Sequence, residues 1–180
     1  MNNLMETIKD CKLCELYQNM PCGNRPVPGM GPQQANIMIV GESLSKDDSI
    51  LEEPISGLPG QLLEKILNSA GLSRENCYIT MSVKCFCDSK PKKKNILTCG
   101  SWIVKEIAAV KPKVIFSLGK IATSLFIQMK STDNIGDFVG QEFKSSTFKI
   151  VPLYSMSYLL QHSSADVDNT VEVIRRYSNG

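Results

Sequence analysis

Asn36-Ile37-Met38-Ile39-Val40-Gly41-Glu42-Ser43-Leu44-Ser45-Lys46-Asp47-Asp48 is the stretch whose reading decides the fold. Ile37 to Val40 is short, apolar and rich in β-branched residues, and Gly41 closes it, which predicts a buried strand. Glu42, Asp47 and Asp48 follow in a polar loop just past the strand's carboxyl end, where open α/β sheets hold their ligands. These acids are the first candidates for chemistry.

Working outward, three more apolar runs read as strands: Cys77 to Val83, Val114 to Leu118, and Phe148 to Leu153. Helical spacing falls between them. Pro59 to Gly71 carries Leu62, Leu63, Ile66 and Leu67 on one face, with Gly71 placed to stop it. Ile96 to Val110 turns Trp102, Ile103, Ile107 and Val110 inward and is broken by Lys111-Pro112. Lys120 to Gln128 and Asp166 to Tyr177 supply two further helices, and Leu4 to Tyr17 has weaker helical spacing. The Pro- and Gly-rich segment 21–34 excludes a helix or strand interior, and 130–146 reads as polar loop. Strands alternating with helices predict an α/β fold: a mainly parallel, four-stranded sheet covered by helices on both faces, in one domain over residues 1–180.

The bulk properties narrow the class. A chain of 180 residues with 42% hydrophobic content can bury a core of its own. With 20 Lys+Arg against 18 Asp+Glu, attraction for a polyanion must come from local clustering rather than a global field. No apolar run approaches the about 18 residues of a membrane span, and the first residues lack a signal peptide's apolar segment. The expectation is a cytoplasmic monomer with reduced cysteines, among which clustered thiols bind metal more often than they form disulfides.

Cys11-Lys-Leu-Cys14 brings two thiols within reach of one metal centre, and Cys85, Cys87 and Cys99 form a second set. Four ligands drawn from two sets suit tetrahedral zinc or an iron–sulfur cluster. A zinc ribbon wants a second Cys-x-x-Cys, which is missing, so a cluster on Cys11, Cys14, Cys85 and Cys99 is favoured, with Cys87 as a substitute for Cys85. Cys22 and Cys77 read as structural. Between Cys85 and Cys99 lie Lys90, Lys92, Lys93 and Lys94, whose ammonium groups could each neutralise a phosphate or simply form a solvated charge run.

Together these residues resemble the iron–sulfur-containing uracil-DNA glycosylases, family four of the uracil-DNA glycosylase superfamily. The resemblance covers nearly the whole chain. It is carried by Cys11-x-x-Cys14, Ile39-Val-Gly-Glu42, Gly57-x-x-Gly-Gln-Leu-Leu63, Gly71-Leu-Ser-Arg-Glu75, Tyr78-Ile-Thr80, Val83-Lys-Cys85, Cys99, Lys111-Pro-Lys-Val-Ile115, Leu118-Gly119, Tyr154, Ser157 and Leu159-Leu160. It implies a three-layer α/β/α fold, a [4Fe–4S] cluster on the four cysteines, and a DNA partner that is single-stranded or presents a flipped base. It also implies a water-positioning acidic loop with Glu42 and Asp48, and a base pocket over Gly41, Ser43, Ile55, Met81 and Ser155, with Ser157 beside the DNA.

At the pocket this chain departs from the family. Ile55 stands where the family stacks an aromatic on the base, and Met81 where it reads uracil with an asparagine. Ser155 and Met156 replace a histidine and its following proline. Methionine cannot donate and accept toward a pyrimidine edge, a readout worth about 1–3 kcal/mol. A donor lost beside the leaving base costs about 10²–10³ in rate. The expectation is a glycosylase for a base other than uracil, using water held by Asp48 or Glu42. The alternative is a catalytically degenerate relative that binds DNA or a protein partner. His162, the single histidine, reads as a surface residue.

Overall fold

The computed structural model describes residues 1–178; the last two residues of the expected 1–180 domain lie outside the described residues. In chain order the elements are α1 (Asn2–Lys9), β1 (Ile37–Leu44), α2 (Lys46–Leu51), α3 (Gly57–Ser69), β2 (Cys77–Phe86), α4 (Lys93–Val110), β3 (Val114–Leu118), α5 (Gly119–Thr123), β4 (Phe143–Lys144), β5 (Lys149–Leu153), α6 (Met156–Leu159) and α7 (Ser164–Arg175).

The strands form one sheet in the order β2-β1-β3-β5-β4. The pairings β1/β2, β1/β3 and β3/β5 are parallel, and β4 adds an antiparallel edge on β5. Alternation along the strands divides the core between two faces. Ile37, Ile39, Ile79, Met81, Phe116 and Val151 pack with Leu63, Ile66 and Leu67 of α3 and with Val173 and Ile174 of α7. Met38, Val40, Tyr78 and Ile115 pack on the opposite face with Ile103 and Val110 of α4 and Ala122 of α5. Helices therefore cover both faces, as the alternating pattern predicts.

The sheet has five strands rather than four. Phe143–Lys144 lies in the segment read as loop, and it pairs through Phe143 with Ile150 and Lys144 with Lys149. Two residues at a sheet edge leave no periodicity for a sequence reading to find. β1 also runs on through Gly41 to Leu44, because Gly41 and Ser43 stay in register with Met81 and Val83 of β2. Glu42 and Ser43 are thus strand residues, not loop residues, and Asp47 and Asp48 lie on the unforeseen α2. β2 likewise extends to Phe86, carrying Cys85 within it.

The first helix stops at Lys9, leaving Cys11 and Cys14 in the irregular turn ahead of a short 3₁₀ segment, Glu15–Asn19. α4 begins at Lys93, earlier than the apolar spacing indicates, and α5 ends at Thr123, well before Gln128. Among the described residues no helix is long and apolar enough to cross a membrane.

Candidate active site and cysteine cavity

A cavity of about 160 Å³ opens beyond the carboxyl ends of β1, β2, β3 and β5. It lies well below the roughly 300 Å³ typical of drug-sized ligands, so it suits one ring system rather than a whole nucleotide. Gly41, Glu42, Ser43, Asp48, Ile55, Met81, Ser155 and Ser157, all singled out from sequence, line it together with Ser45, Pro59, Leu118 and Met156.

Met81 and Ile55 form the apolar wall, and Gly41 makes room for it. A Cβ at Gly41 would fall 2.6 Å from Met81 Sδ and 3.3 Å from Ile55 Cδ1. Ile55 itself holds a φ of 55°, a costly conformation for a β-branched residue. Arg74 fixes that segment: its guanidinium donates to the Ile55 carbonyl at 3.1 Å, the Pro54 carbonyl at 2.9 Å and Glu53 Oε1 at 2.7 Å.

The two acids differ in what they touch. Asp48 is buried, and both its oxygens are engaged. Oδ2 accepts from Ser45 N at 2.8 Å, closing a capping box at the start of α2, while Oδ1 accepts from Ser56 N at 2.6 Å and Ser56 Oγ at 2.7 Å. Glu42 accepts at Oε1 from Ile121 N, in the first turn of α5, at 2.9 Å. No protein donor meets its Oε2 among the described residues. Burial raises the Glu42 carboxyl above the ordinary carboxylate range, opposed by the Ile121 N–H and by the charge of Lys90. This anchoring requires Gly119, whose φ is +84° and where a Cβ would lie 2.5 Å from Glu42 Cδ.

Ser155 Oγ accepts from Tyr158 N at 3.3 Å and so serves as the N-cap of α6. His162 is exposed, stacks on Tyr158 and is not among the residues that line the pocket.

Three of the four lysines gather at the start of α4. Lys92 is the N-cap of α4, and Lys93 and Lys94 stand in its first turn, where the helix dipole disfavours cations. Lys94 Nζ lies 3.0 Å from Glu15 Oε1, and the Glu15 carboxyl is lowered to about 2 by its own backbone amide and by Lys94.

Cys11, Cys14, Cys85 and Cys99 all face one small cavity, walled also by Lys84, Thr98 and Trp102. Two of the sulfurs already accept hydrogen bonds: Trp102 Nε1 donates to Cys11 Sγ at 3.2 Å and Lys84 N to Cys99 Sγ at 3.2 Å. N–H groups aimed at sulfur are the kind of outer partner that stabilises thiolate ligands. Burial raises the thiol pKa of Cys85, and its neighbours Cys99, Cys14 and Cys11 raise it further. Among the described residues no three Cys, His, Asp or Glu side chains gather closely enough for a single metal ion. Cys11, Cys14, Cys85 and Cys99 are the residues around this cavity that could hold a metal centre. Cys87 does not line this cavity; its Sγ lies 3.7 Å from the Cys85 carbonyl, and burial raises its thiol to about 11.

Sequence reasoning missed Arg74, Ser56 and the Ile121 amide, which act through tertiary contacts. It also missed the buried pair of Lys84 and Glu106, 2.7 Å apart, directly behind the cysteine cavity. Glu106 Oε1 further accepts from Gly29 N at 2.9 Å and Tyr78 OH at 3.2 Å, and Oε2 from Thr80 Oγ1 at 2.9 Å. A lysine inside the apolar run of β2 is the signal that could have found it.

The sequence model described as the uracil DNA glycosylase superfamily matches residues 28–177. The chain is 32% identical over 131 residues to the Type-4 uracil-DNA glycosylase of Archaeoglobus fulgidus, spanning 72% of this chain and 64% of that protein. It is 33% identical over 149 residues to the Type-4 uracil-DNA glycosylase of Saccharolobus solfataricus, spanning 78% and 68%. Against the Thermotoga maritima Type-4 uracil-DNA glycosylase the identity is 29% over 179 residues, spanning 95% and 88%. The chain thus spans just under two thirds of the Archaeoglobus protein's length and more of the other two.

Proposed function

Because this chain belongs to the uracil-DNA glycosylase superfamily, we propose that it is a DNA N-glycosylase that extrudes and hydrolyses a base other than uracil. The target atom lies inside the stack, so the nucleotide must be flipped or already single-stranded. Glu42 then orients a water through Oε2. The water oxygen bonds to the sugar carbon C1′ as the C1′–N bond breaks; the base leaves with the bonding electrons, Glu42 takes the proton that the water loses, and that proton then passes through solvent to the departed base, regenerating the carboxylate. The carboxylate also stabilises the positive charge growing on the sugar.

The observation that carries this reading is the divided environment of the pocket. A half-buried carboxylate that, among the described residues, accepts a single hydrogen bond faces an apolar wall of Met81 and Ile55. Such a wall offers no paired donor and acceptor for uracil, while the flexible thioether accommodates a bulkier or less polar ring. Asp48, saturated by three donors, shapes the loop over the pocket and is the less suited of the two acids. Lys90 and the lysines crowded at the positive end of α4 supply cations for DNA phosphates.

Cys11, Cys14, Cys85 and Cys99 would hold a [4Fe–4S] cluster. Its contribution would be to tie the segment around Cys11 and Cys14 to β2 and α4, ordering the basic edge beside the pocket.

Oligonucleotides carrying uracil, hydroxymethyluracil, hypoxanthine and other modified bases test the activity after alkaline cleavage. Release of at least one non-uracil base, abolished in Glu42→Gln, is the expected result. If every base in the panel stays intact, the hydrolase reading fails.

A second reading is supported by the commitment of Asp48 and Ser155 to helix capping: a degenerate member that binds DNA or a protein without cleaving. It expects full DNA affinity with no base released, and a smaller salt slope in a variant lacking Lys92, Lys93 and Lys94.

A further inference from the structure

Tyr154, Tyr158 and His162 make a continuous column of rings beside the segment Ser155 to Ser157, which lines the pocket. Tyr154 and Tyr158 have centroids 4.3 Å apart and lie 13° from parallel. Tyr158 and His162 are 3.6 Å apart and 11° from parallel. Tyr154 precedes the N-cap of α6, Tyr158 lies in that helix and His162 follows it, so the three rings stack one upon the next across its two ends.

The column is held from both ends. Ser155 Oγ, accepting from Tyr158 N, sets the first turn of α6. His162 Nδ1 lies 2.8 Å from the Tyr158 carbonyl oxygen, and since a carbonyl only accepts, Nδ1 carries the hydrogen. The imidazole is therefore fixed in place although it is exposed, with the two half-buried tyrosines beneath it. Ser155, Met156 and Ser157, interleaved with the column, line the pocket.

We propose that the outer face of His162, backed by Tyr158 and Tyr154, is a stacking platform for an unpaired nucleobase of single-stranded DNA, next to the nucleotide entering the pocket. This inference rests on the DNA-acting reading above. Stacking on a ring face is sequence-tolerant, because every base presents a π face. Phosphate attraction is the weaker candidate at this point of the surface. The Tyr154 hydroxyl is held above the usual range by burial first, then by Tyr158 and by the carboxylates of Asp166 and Asp137, and those carboxylates repel a phosphate.

Fluorescence anisotropy with a labelled oligothymidylate and with an abasic backbone of equal length and charge separates the possibilities. His162→Ala should weaken oligothymidylate binding about tenfold and leave the abasic strand's affinity unchanged. His162→Phe, which keeps a ring and removes the imidazole nitrogens, should restore the oligothymidylate affinity, and unaltered melting temperatures should exclude misfolding. If wild type binds DNA and His162→Ala binds oligothymidylate equally well, or loses both strands alike, the platform is refuted while the DNA reading stands. Wild type failing to bind either strand refutes the DNA reading and the platform with it.

Discussion

Replacing Gly119 by alanine should uncouple Glu42 from the helix that holds it. At a φ of +84°, a residue with a Cβ gives up about 1–2 kcal/mol. The new Cβ would also stand 2.5 Å from Glu42 Cδ and 2.6 Å from its Oε1, so the carboxylate must leave the Ile121 amide. A hydrogen bond to a charged group adds about 1.5–3 kcal/mol. For a chain of this length each kcal/mol lowers the melting temperature by about 2–4 °C, so the variant should melt at least about 5 °C below wild type. Thermal denaturation of Gly119→Ala, Glu42→Ala and the double variant forms a cycle that isolates the contact. In the Glu42→Ala background only the backbone cost should remain, leaving a coupling of about 1.5–3 kcal/mol. An equal cost of Gly119→Ala in both backgrounds would refute the claim that Gly119 exists to admit Glu42.

Three further outcomes follow from the same geometry. Burial raises the Glu42 pKa, so the folded state binds this proton more tightly than the unfolded chain does. The stabilisation from the protonated form is complete below the unfolded value of about 4.3 and is lost as pH rises through the folded value. Glu42→Gln should therefore be more stable than wild type at neutral pH, with the gap closing below about pH 4, and the acid limb of wild-type activity should lie above the ordinary carboxylate range. Lys84→Met leaves Glu106 buried without its cation and should cost about 3–5 kcal/mol in urea denaturation; adding Glu106→Gln should recover part of it. Anaerobically purified protein should show a broad visible absorption with iron and sulfide in equal amounts, and Cys99→Ala should lose both signals; zinc in place of iron would reject the cluster.

Much of the fold was legible because α/β architecture is written in short periods. Ile37 to Val40, Val114 to Leu118 and the Leu62 to Leu67 face each contain their own reason for folding. The continuation of β1 past Gly41 was not, since only pairing with Met81 and Val83 across the sheet keeps that segment extended. β4 was hidden for the same reason. At the site, sequence could nominate the residues around the pocket but could not rank them. Asp48 and Glu42 look alike in the chain, and what separates them, the three donors on one against the single Ile121 amide on the other, comes from residues distant in sequence. Cys87 could stand in for Cys85 on sequence alone; in the fold Cys85 lines the cavity with Cys11, Cys14 and Cys99, and Cys87 does not.

The excised-base profile of wild type set beside Glu42→Gln on one panel of single-stranded oligonucleotides is the most direct measurement. Excision of a modified base, uracil left essentially intact, and loss of that excision in Glu42→Gln by about 10²–10⁴-fold is the outcome expected of a water-orienting carboxylate facing Met81 and Ile55. Efficient uracil release, or release unaffected by Glu42→Gln, would contradict it.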